Sequence, residues 1–341
     1  MSFILKGISL QELEEFITTH GYEKYKANQV YTWLYKQAQF DTNSMTNLSS
    51  KFKTFLNEKT ILNTLELFNQ KDSQNTTKFL FKTQSKKYIE SVSMIENNRH
   101  TVCLSSQVGC SVDCDFCATG KMGFIKNLHS GEIIDQLLYI KNHIQHPITN
   151  IVFMGMGEPF LNYKNVINAA NLMIDPKGLN FAAHRITIST AGILPKINQF
   201  INDNLKFNLA ISLNATDDLT RNKLMPINKK WPISDLIKIA KKFNQANKLK
   251  ITFEYVLIDS VNDSIKDAKK LAQLLRGSNC KLNIIPFNDI GTEYKRPPVK
   301  KIEDFLEIIY KECQGFKILV RWSKGIDINA GCGQLATKDM Q

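Results

Sequence analysis

The sequence GCSVDCDFCATGKMGF (residues 109–124) places three cysteines, at positions 110, 114 and 117, in a C-x3-C-x2-C spacing. Metal sites built from cysteine usually have four protein ligands. No histidine lies between Cys110 and His129, so a zinc ion would lack a fourth ligand nearby. The C-x2-C-x2-C spacing of bacterial ferredoxins is absent as well. The spacing therefore predicts a 4Fe–4S cluster held by three thiolates, with one iron left open for a substrate or cofactor; a structural zinc site is the alternative.

The chain around this loop alternates between strand-like and helix-like segments, which indicates a parallel α/β fold. The predicted strands are 100–106, 150–155, 184–190, 205–213, 249–258 and 281–287. The predicted helices between them are 130–144, 163–174, 232–246 and 264–277. Six strands are too few for an eight-stranded barrel, so we expect a partial (β/α)6 barrel or an open sheet. The cysteine loop follows the first strand, at the carboxyl edge where active sites of such folds form.

The N-terminal quarter has a different pattern. Ser9 and Glu12 form an S-x-x-E capping box before apolar residues at helical spacing, and two further basic helical segments follow before residue 60. Short alternating runs over 65–105 predict an antiparallel meander. Three domains are predicted: an accessory, RNA-binding domain (1–95), the barrel (96–320) and a glycine-rich tail (321–341). A last strand comes directly before the tail.

The composition limits the function classes. The 341 residues carry 44 Lys and Arg against 32 Asp and Glu, a net charge of +12, which indicates a polyanionic partner such as RNA. A bias in nucleotide composition is the alternative, because only six of the basic residues are arginine. There is no run of about 18 apolar residues, and the acidic start lacks the apolar core of a signal peptide. Seven cysteines, an odd number, point to metal binding or catalysis in a reducing compartment, so we expect a cytoplasmic protein without a membrane partner.

Several motifs together carry a resemblance to one known family. The three-cysteine loop after a first strand is similar to that of the radical S-adenosylmethionine (SAM) superfamily. Over nearly its whole length the chain further resembles the RlmN/Cfr family of rRNA adenine methyltransferases. The segments that carry this resemblance are 5–16 (LKGISLQELEEF), 103–128, 153–162 (FMGMGEPFLN), 185–193 (RITISTAGI), 209–215 (LAISLNA), 221–228 (RNKLMPIN) and 325–335 (GIDINAGCGQL). The resemblance implies a partial radical SAM barrel, a 4Fe–4S cluster on Cys110, Cys114 and Cys117, and SAM as second cofactor, with two molecules used for each methyl group.

The resemblance also implies SAM contacts at or just past the strand ends. The glycines of GMGEP (155–159) let the backbone approach a ligand, and Glu158 would accept hydrogen bonds from the SAM ammonium. An ordinary tight turn is the alternative for so short a motif. The family usually has His at the position of Asn214, which can form hydrogen bonds but cannot titrate. The implied SAM-binding residues are Gly157, Glu158, Ser189, Ser212, Leu213, Asn214 and Asn288.

Three further residues match those that perform the family's unusual chemistry. Cys332, between two glycines of the tail, would accept a methyl group from one SAM. A radical made from a second SAM would remove a hydrogen from this methyl group, and the carbon radical would add to adenine and link the RNA to Cys332. Glu90 would accept the proton that leaves the ring, and Cys103 would release the product by forming a disulfide with Cys332. Alternation along the first strand sends Cys103 to the face opposite Val102 and Leu104.

The remaining cysteines receive a plainer interpretation. Cys280 and Cys313 are predicted to be buried, inert thiols, because free cysteine is among the most buried residue types.

Without the resemblance, Glu90 would be interpreted as a carboxylate on the solvated face of a strand.

The resemblance implies RNA substrates that can present an extruded adenine. For the housekeeping branch these are an adenosine in the peptidyl-transferase region of 23S rRNA and the adenosine 3′ of the tRNA anticodon, methylated on carbon 2. Two alternatives stay open: carbon-8 methylation, as in the antibiotic-resistance branch, and a non-catalytic RNA-binding iron–sulfur protein. GMGEP favours the housekeeping branch, since the resistance branch tends to have GEA there. We expect a flavodoxin-type electron donor and a monomer.

Overall fold

A computed structural model describes residues 2–247, 249–312 and 316–337 of the chain. Within these ranges, no helix combines the length and the apolar character that crossing a membrane requires. Cys313, predicted to be inert, and residues 338–341 of the predicted tail lie outside the described residues.

The described residues form fourteen strands and eleven α-helices. The strands are β1 (Phe3–Ile4), β2 (Thr60–Ile61), β3 (Leu65–Ser73), β4 (Thr76–Thr83), β5 (Tyr88–Glu96), β6 (Arg99–Cys103), β7 (Gln107–Gly109), β8 (Phe124–Asn127), β9 (Asn150–Phe153), β10 (Ile186–Thr190), β11 (Asn208–Ser212), β12 (Ile251–Leu257), β13 (Cys280–Pro286) and β14 (Lys317–Val320). The helices are α1 (Leu10–Thr19), α2 (Tyr25–Tyr31), α3 (Ser50–Lys59), α4 (Ala118–Lys121), α5 (Ser130–His143), α6 (Tyr163–Ile174), α7 (Leu194–Asn202), α8 (Asp218–Leu224), α9 (Ile233–Asn247), α10 (Ile265–Leu275) and α11 (Val299–Glu312).

Ten of these strands form one sheet, in the order β14-β13-β12-β11-β10-β9-β6-β5-β4-β3. Strands β6 and β9 to β14 pair in parallel, whereas β3 to β6 pair antiparallel. The six predicted parallel strands and the predicted meander are confirmed. The last strand predicted before the tail is confirmed as β14, which pairs in parallel with β13, and the meander extends the barrel sheet. The predicted domain boundary near residue 95 therefore falls inside a continuous sheet, and it stays a prediction.

The sequence pattern predicted some of the crossover helices and missed others. Helices α5, α6, α9 and α10 confirm the four predicted ones, and α6 matches at both ends. Helices α7 and α11 were missed, and both begin beside a proline: Pro195 lies in the first turn of α7, and the Pro298 carbonyl accepts the Ile302 N–H of α11 at 3.1 Å. Proline is well suited to this place because the first N–H groups of a helix have no partner within it.

The N-terminal helices form as predicted. At the start of α1, the Glu12 N–H donates to Ser9 Oγ at 3.2 Å, and the Ser9 N–H donates to the Glu12 carboxylate at 2.7 Å. The next predicted segment forms α2, which continues as one π-helical stretch over Thr32–Lys36, and the third forms α3 with Ser49 as its cap. The two-residue strands β1 and β2 pair in parallel beside these helices and are too short to show a sequence pattern.

A buried ion pair joins the N-terminal helices to the barrel. Lys6 Nζ lies 2.6 Å from Asp135 of α5, and the two side chains are 0% and 1% exposed. The other oxygen of Asp135 accepts from both the N–H and the hydroxyl of Thr64, each at 2.5 Å. Burial lowers the pKa of Lys6, and the charge of Asp135 opposes this. A Cβ on Gly7 would lie 2.1 Å from the Gly131 nitrogen, so the two parts of the chain meet backbone to backbone.

We predict that Lys6→Met lowers the free energy of unfolding by about 3–5 kcal/mol, because it leaves the Asp135 carboxylate buried without its cation. Lys24→Met is the matched control: Lys24 is 69% exposed in its 2.9 Å pair with Glu14, and such surface pairs contribute about 0–1 kcal/mol. Urea unfolding followed by circular dichroism measures both variants. Equal losses in the two proteins would contradict the prediction.

Candidate active site

A cavity lies at the carboxyl ends of the parallel strands, and the C-terminal tail forms part of its wall. Ten of the predicted site residues line it: Cys110, Cys114, Cys117, Gly157, Glu158, Ser189, Ser212, Asn214, Asn288 and Cys332. Leu213, Cys103 and Glu90 are not among the lining residues.

The three-cysteine loop is folded tightly against its own backbone. Cys110 is buried, and Cys114 and Cys117 are half-buried. The Cys117 N–H donates to the Cys114 carbonyl at 3.1 Å, and the Cys110 N–H donates to the Gly123 carbonyl at 2.9 Å. A Cβ on Gly120 would lie 2.9 Å from the Cys114 carbonyl oxygen, so a glycine in α4 lets the helix lie this close to the loop. The backbone therefore fixes all three cysteines on one wall of the cavity.

Burial is the main influence on the ionisation of the loop thiols. It raises the pKa of Cys110 to about 12 and that of Cys114 well above its ordinary value, and the neighbouring thiols raise both further. All three cysteines line the cavity, and three thiolates leave one iron of a 4Fe–4S cluster without a protein ligand, so these residues fit the cluster that the spacing predicts. Their role as its ligands stays a prediction.

The loop after β9 brings a carboxylate to the cavity. Gly157 has φ +95°, and a Cβ there would lie 2.4 Å from Cβ of Gln107. The Glu158 carboxylate is buried and accepts the N–H groups of Ala191 at 2.7 Å and Phe160 at 2.9 Å. Burial raises the pKa of Glu158 to about 7, and these donors oppose the rise. A carboxylate has about four acceptor positions, so Glu158 is held in place and keeps capacity for a ligand in the cavity.

Asn214 follows β11 with φ +57°, a left-handed conformation that asparagine tolerates. Its Oδ1 accepts the Val256 N–H at 2.8 Å, and Asn262 donates to its carbonyl at 2.8 Å. The preceding Leu213 has no exposed surface and donates its N–H to the Glu254 carbonyl at 2.9 Å. The side-chain oxygen of Asn214 is thus engaged within the chain, between the ends of β11 and β12. Its contact with SAM stays a prediction, as do those of the half-buried serines on the same wall.

Arg221, in the RNKLMPIN motif, joins the loops on this side, a role that the sequence did not reveal. Its side chain has no exposed surface. The guanidinium donates at 2.8–2.9 Å to four oxygens, the carbonyls of Ala191, Ser212 and Leu213 and Oδ1 of Asn228. Burial lowers the pKa of Arg221 to about 10. The ends of β10 and β11 are therefore fixed relative to each other by one cation.

The tail is bonded on both sides of Cys332. Asn288 donates to the Cys332 carbonyl at 2.9 Å and to Ser323 Oγ at 2.8 Å, so its amide group binds the tail. The Ala118 N–H, directly after the third cysteine of the loop, donates to the Gly333 carbonyl at 2.8 Å. The tail is thereby held in the position in which Cys332 lines the same cavity as the three-cysteine loop. The predicted SAM contact of Asn288 is untested, and its hydrogen bonds here go to the tail and to Arg296.

Cys103 lies at the end of β6 and is 6% exposed, while its neighbours Val102 and Leu104 have no exposed surface. Burial raises the pKa of Cys103 to about 12; the charge of Arg321 opposes the rise, and the Cys332 thiol adds to it. Burial also raises the pKa of Cys332, again against Arg321. The Arg321 guanidinium thus favours the ionised form of both thiols, and Cys332 opposes ionisation of Cys103. Cys103 and Cys332 are not bonded to each other in the structure, so their disulfide stays a prediction.

Glu90 lies beside the tail and outside the cavity. It is 5% exposed, so its interpretation as a solvated strand carboxylate is wrong. Its carboxylate lies 2.8 Å from Lys78 Nζ and accepts the Ala336 N–H at 2.9 Å. Burial raises the pKa of Glu90, and Lys78 opposes the rise. The residue lines a separate groove between the meander and the tail.

Two charged residues near the thiols were missed. Glu254 of β12 is buried and lines the cavity. Arg321 follows β14, and its Nη1 donates to Met154 Sδ at 3.4 Å. Burial raises the pKa of Glu254, and Arg321 opposes the rise. A glutamate inside the apolar strand ITFEYVL was an available signal, because Glu is rarely buried unless paired.

The comparisons with known proteins agree with this geometry. Residues 104–272 match the profile of the Radical SAM superfamily, and residues 4–62 match that of the ribosomal RNA large subunit methyltransferase N-terminal domain. The chain is 41% identical over 333 residues to the probable dual-specificity RNA methyltransferase RlmN of Fervidobacterium nodosum, covering 96% of this chain and 95% of that protein. It is 40% identical over 336 residues to the dual-specificity RNA methyltransferase RlmN of Geobacter sulfurreducens, covering 98% and 92%. The crystal structure of a radical SAM methyltransferase from Sphaerobacter thermophilus is similar with a TM-score of 0.94 and 39% identity, covering 98% of this chain and 99% of that one.

We predict that Cys114→Ala protein, reconstituted anaerobically with iron and sulfide, does not retain a cluster, because two thiolates are too few to hold it. Cys280→Ala is the control, since Cys280 is buried at the amino end of β13, away from the carboxyl edge. Iron and sulfide analysis, with electron paramagnetic resonance after reduction, measures the content. Wild-type iron in Cys114→Ala protein would exclude this loop as the binding site.

We predict that Gly157→Ala weakens SAM binding about tenfold or more, since a side chain at φ +95° and 2.4 Å from Gln107 forces the loop to move, at a cost of about 1–3 kcal/mol. Gly277→Ala is the matched control: it also has a positive φ, +70°, but has no atom within 4 Å of the added Cβ. Equilibrium dialysis of cluster-loaded protein with labelled SAM gives both Kd values. Unchanged binding in Gly157→Ala would remove this loop from the SAM site.

Proposed function

This chain belongs to the RlmN family of radical SAM RNA methyltransferases, and we propose that it methylates carbon 2 of adenosine in 23S rRNA and in tRNA, next to the anticodon. Family membership brings a 4Fe–4S cluster and SAM, with two molecules of SAM for each methyl group transferred. The observation that carries the proposal is that Cys332 and the three-cysteine loop line the same cavity, with the loop and the tail joined by the bond from Ala118 to Gly333. The non-catalytic alternative does not agree with membership of an enzyme family.

Cys110, Cys114 and Cys117 would hold the cluster, and Gly157 with Glu158 would receive the amino group of SAM. When bound, these cofactors supply a carbon-centred radical. Cys332 would take up the methyl group, and its thiol must first lose its proton, because the thiolate is the nucleophile. Burial opposes this ionisation, and the nearby guanidinium of Arg321 favours it.

Release of the methylated base would use the two remaining residues. The linked adenine radical would first give up one electron to the oxidised cluster and lose the ring proton. Cys103, as thiolate, would then attack the sulfur of Cys332: the S–S bond would form as the S–CH2 bond breaks, and the freed carbon would take up a proton to become the methyl group. The electrostatic coupling of Cys103 to Cys332 supports this pairing. Glu90 would accept the ring proton. Its raised pKa suits a proton acceptor, and its place beside the tail supports an approach from the groove.

The substrate must bring an unstacked adenine to the tail, as loops and single strands can. The net charge of +12 supports an RNA partner. Residues 1–95 are proposed as the RNA platform, and the match of residues 4–62 to a domain named for rRNA methyltransferases supports this. A flavodoxin-type electron donor, a monomeric state and a cytoplasmic location complete the proposal.

We predict that reconstituted enzyme, given SAM, a reductant and protein-free 23S rRNA or tRNA without oxygen, forms 2-methyladenosine together with 5′-deoxyadenosine. Mass spectrometry of the digested nucleosides against 2-methyl and 8-methyl standards measures this. Formation of 8-methyladenosine would place the protein in the resistance branch. Absence of methylated adenine, from protein shown to carry its cluster, would overturn the proposed substrate.

Two variants test the thiols in the same assay. Cys332→Ala should form no product, since the methyl acceptor is gone. Cys103→Ala should accumulate RNA covalently bound to protein, visible as a shifted band that ribonuclease removes. Cys280→Ala serves as the control for the loss of one buried thiol. Methylation by Cys332→Ala protein would refute the covalent route.

A further inference from the structure

One buried ion pair holds the tail loop that carries Cys332 at both of its ends. Lys78 Nζ and Glu90 Oε1 lie 2.8 Å apart, and the two side chains are 11% and 7% exposed. Lys78 also donates to the carbonyl of Asn329, before Cys332, at 3.3 Å. The second oxygen of Glu90 accepts the N–H of Ala336, after Cys332, at 2.9 Å.

The sheet register places the two partners together. Strands β4 and β5 are antiparallel, with Lys78 opposite Val92 and Leu80 opposite Glu90. Lys78 and Glu90 are therefore diagonal neighbours on one face, a spacing that long side chains reach across. This face is covered by the tail, so the pair has a fixed position under the loop.

A contribution to the stability of the fold is by itself a weak explanation for a buried ion pair at this place. The free energy needed to remove two charges from water is about as large as the free energy gained from their attraction. The best-supported role of a buried ion pair is therefore to select one structural arrangement over others. Here the arrangement selected is that of the tail. The bonds from Asn288 and Ala118 hold the residues next to the thiol. The ion pair acts on the flanks, where Thr119 Oγ1 also donates to the Leu335 carbonyl at 2.6 Å; the ion pair differs in holding both flanks at once.

We propose that Lys78 is a positioning residue, and that the Lys78–Glu90 ion pair fixes the Cys332 loop on the cavity wall. Loss of either charge loosens the flanks of the loop. Glu90 thereby has a function in the resting protein that is separate from its proposed proton uptake. We call this ion pair, with its bonds to Asn329 and Ala336, the clamp. Its importance for catalysis rests on the proposed function of Cys332, but its effect on the mobility of the tail can be measured without any methyl transfer.

Hydrogen–deuterium exchange of the full-length, cluster-loaded protein tests the clamp directly. Lys78→Met should raise exchange in peptides covering 325–337 about tenfold, the change expected for losing a hydrogen bond to a charged group. Peptides from β9 to β13 should exchange as in the wild type. Lys78→Arg, which keeps the charge and the donors, should restore protection. Unchanged tail exchange, or an equal rise across the whole protein, would overturn the proposal.

Two further variants keep the test decisive. Glu90→Gln keeps the shape of the side chain and removes only its charge, and it should also raise tail exchange; wild-type exchange would mean that Glu90 does not hold the tail. Lys71→Met is the matched control, because Lys71 lines the same groove and acts on Glu90 through its charge, yet no hydrogen bond joins it to the tail within the described residues. Release of the tail in Lys71→Met would show a general charge effect and overturn the clamp.

The methylation assay then separates the clamp from the proposed function. Lys78→Met should lower kcat and leave the KM for SAM unchanged, since Lys78 is not a lining residue of the cavity, and Lys78→Arg should recover the rate. A raised KM for SAM with normal kcat would contradict the positioning role. If no variant and no wild-type protein methylates RNA, the proposed function fails while the exchange result still decides the clamp.

Discussion

The carboxyl edge of the barrel depends on a guanidinium that has no contact with solvent. In place of hydrogen bonds to water, the guanidinium of Arg221 donates hydrogen bonds to the carbonyls of Ala191, Ser212 and Leu213 and to the side chain of Asn228. A buried charge is tolerated only when its donors are satisfied, so each of these oxygens is held where the cation requires it. The loops after β10 and β11 can therefore not move independently. Any ligand that contacts both loops meets a surface formed before it binds.

The C-terminal tail forms a further part of the cavity wall. It contributes Cys332, Gly333 and Leu335, and these are held by bonds from Ala118 and Thr119 of α4 and from Asn288, just past β13. The meander contributes Lys78 and Glu90, which bind the tail from the other side. The extension of the barrel sheet by β3 to β5 thus has a consequence for the site. These additional strands provide a surface against which the tail packs, beyond the strand at which the parallel part of the sheet ends.

Features that depend on residues close in sequence were predictable. The capping box of α1 and both ends of α6 follow from local spacing, and the cysteine spacing identifies one wall of the cavity. The charged residues that organise the site were not predictable, because their burial depends on distant partners. Lys78 meets Asn329 across 251 positions, and Glu90 meets Ala336 across 246. No periodicity within a strand indicates that its lysine will be covered by a tail.

The electrostatics of the two thiols bear on the order of the proposed steps. Cys103 is buried and Cys332 is half-buried, and a negative charge on Cys332 raises the pKa of Cys103. Two thiolates in one region of low dielectric repel each other, so their ionisation is sequential. Arg321 favours the charged form of both, yet one cation balances only one anion at a time. The proposed methylation would turn Cys332 into a neutral thioether and remove the competing charge. The guanidinium would then act on Cys103 and on the Glu254 carboxyl group, so the product of the first proposed step would remove one obstacle to ionising the second thiol.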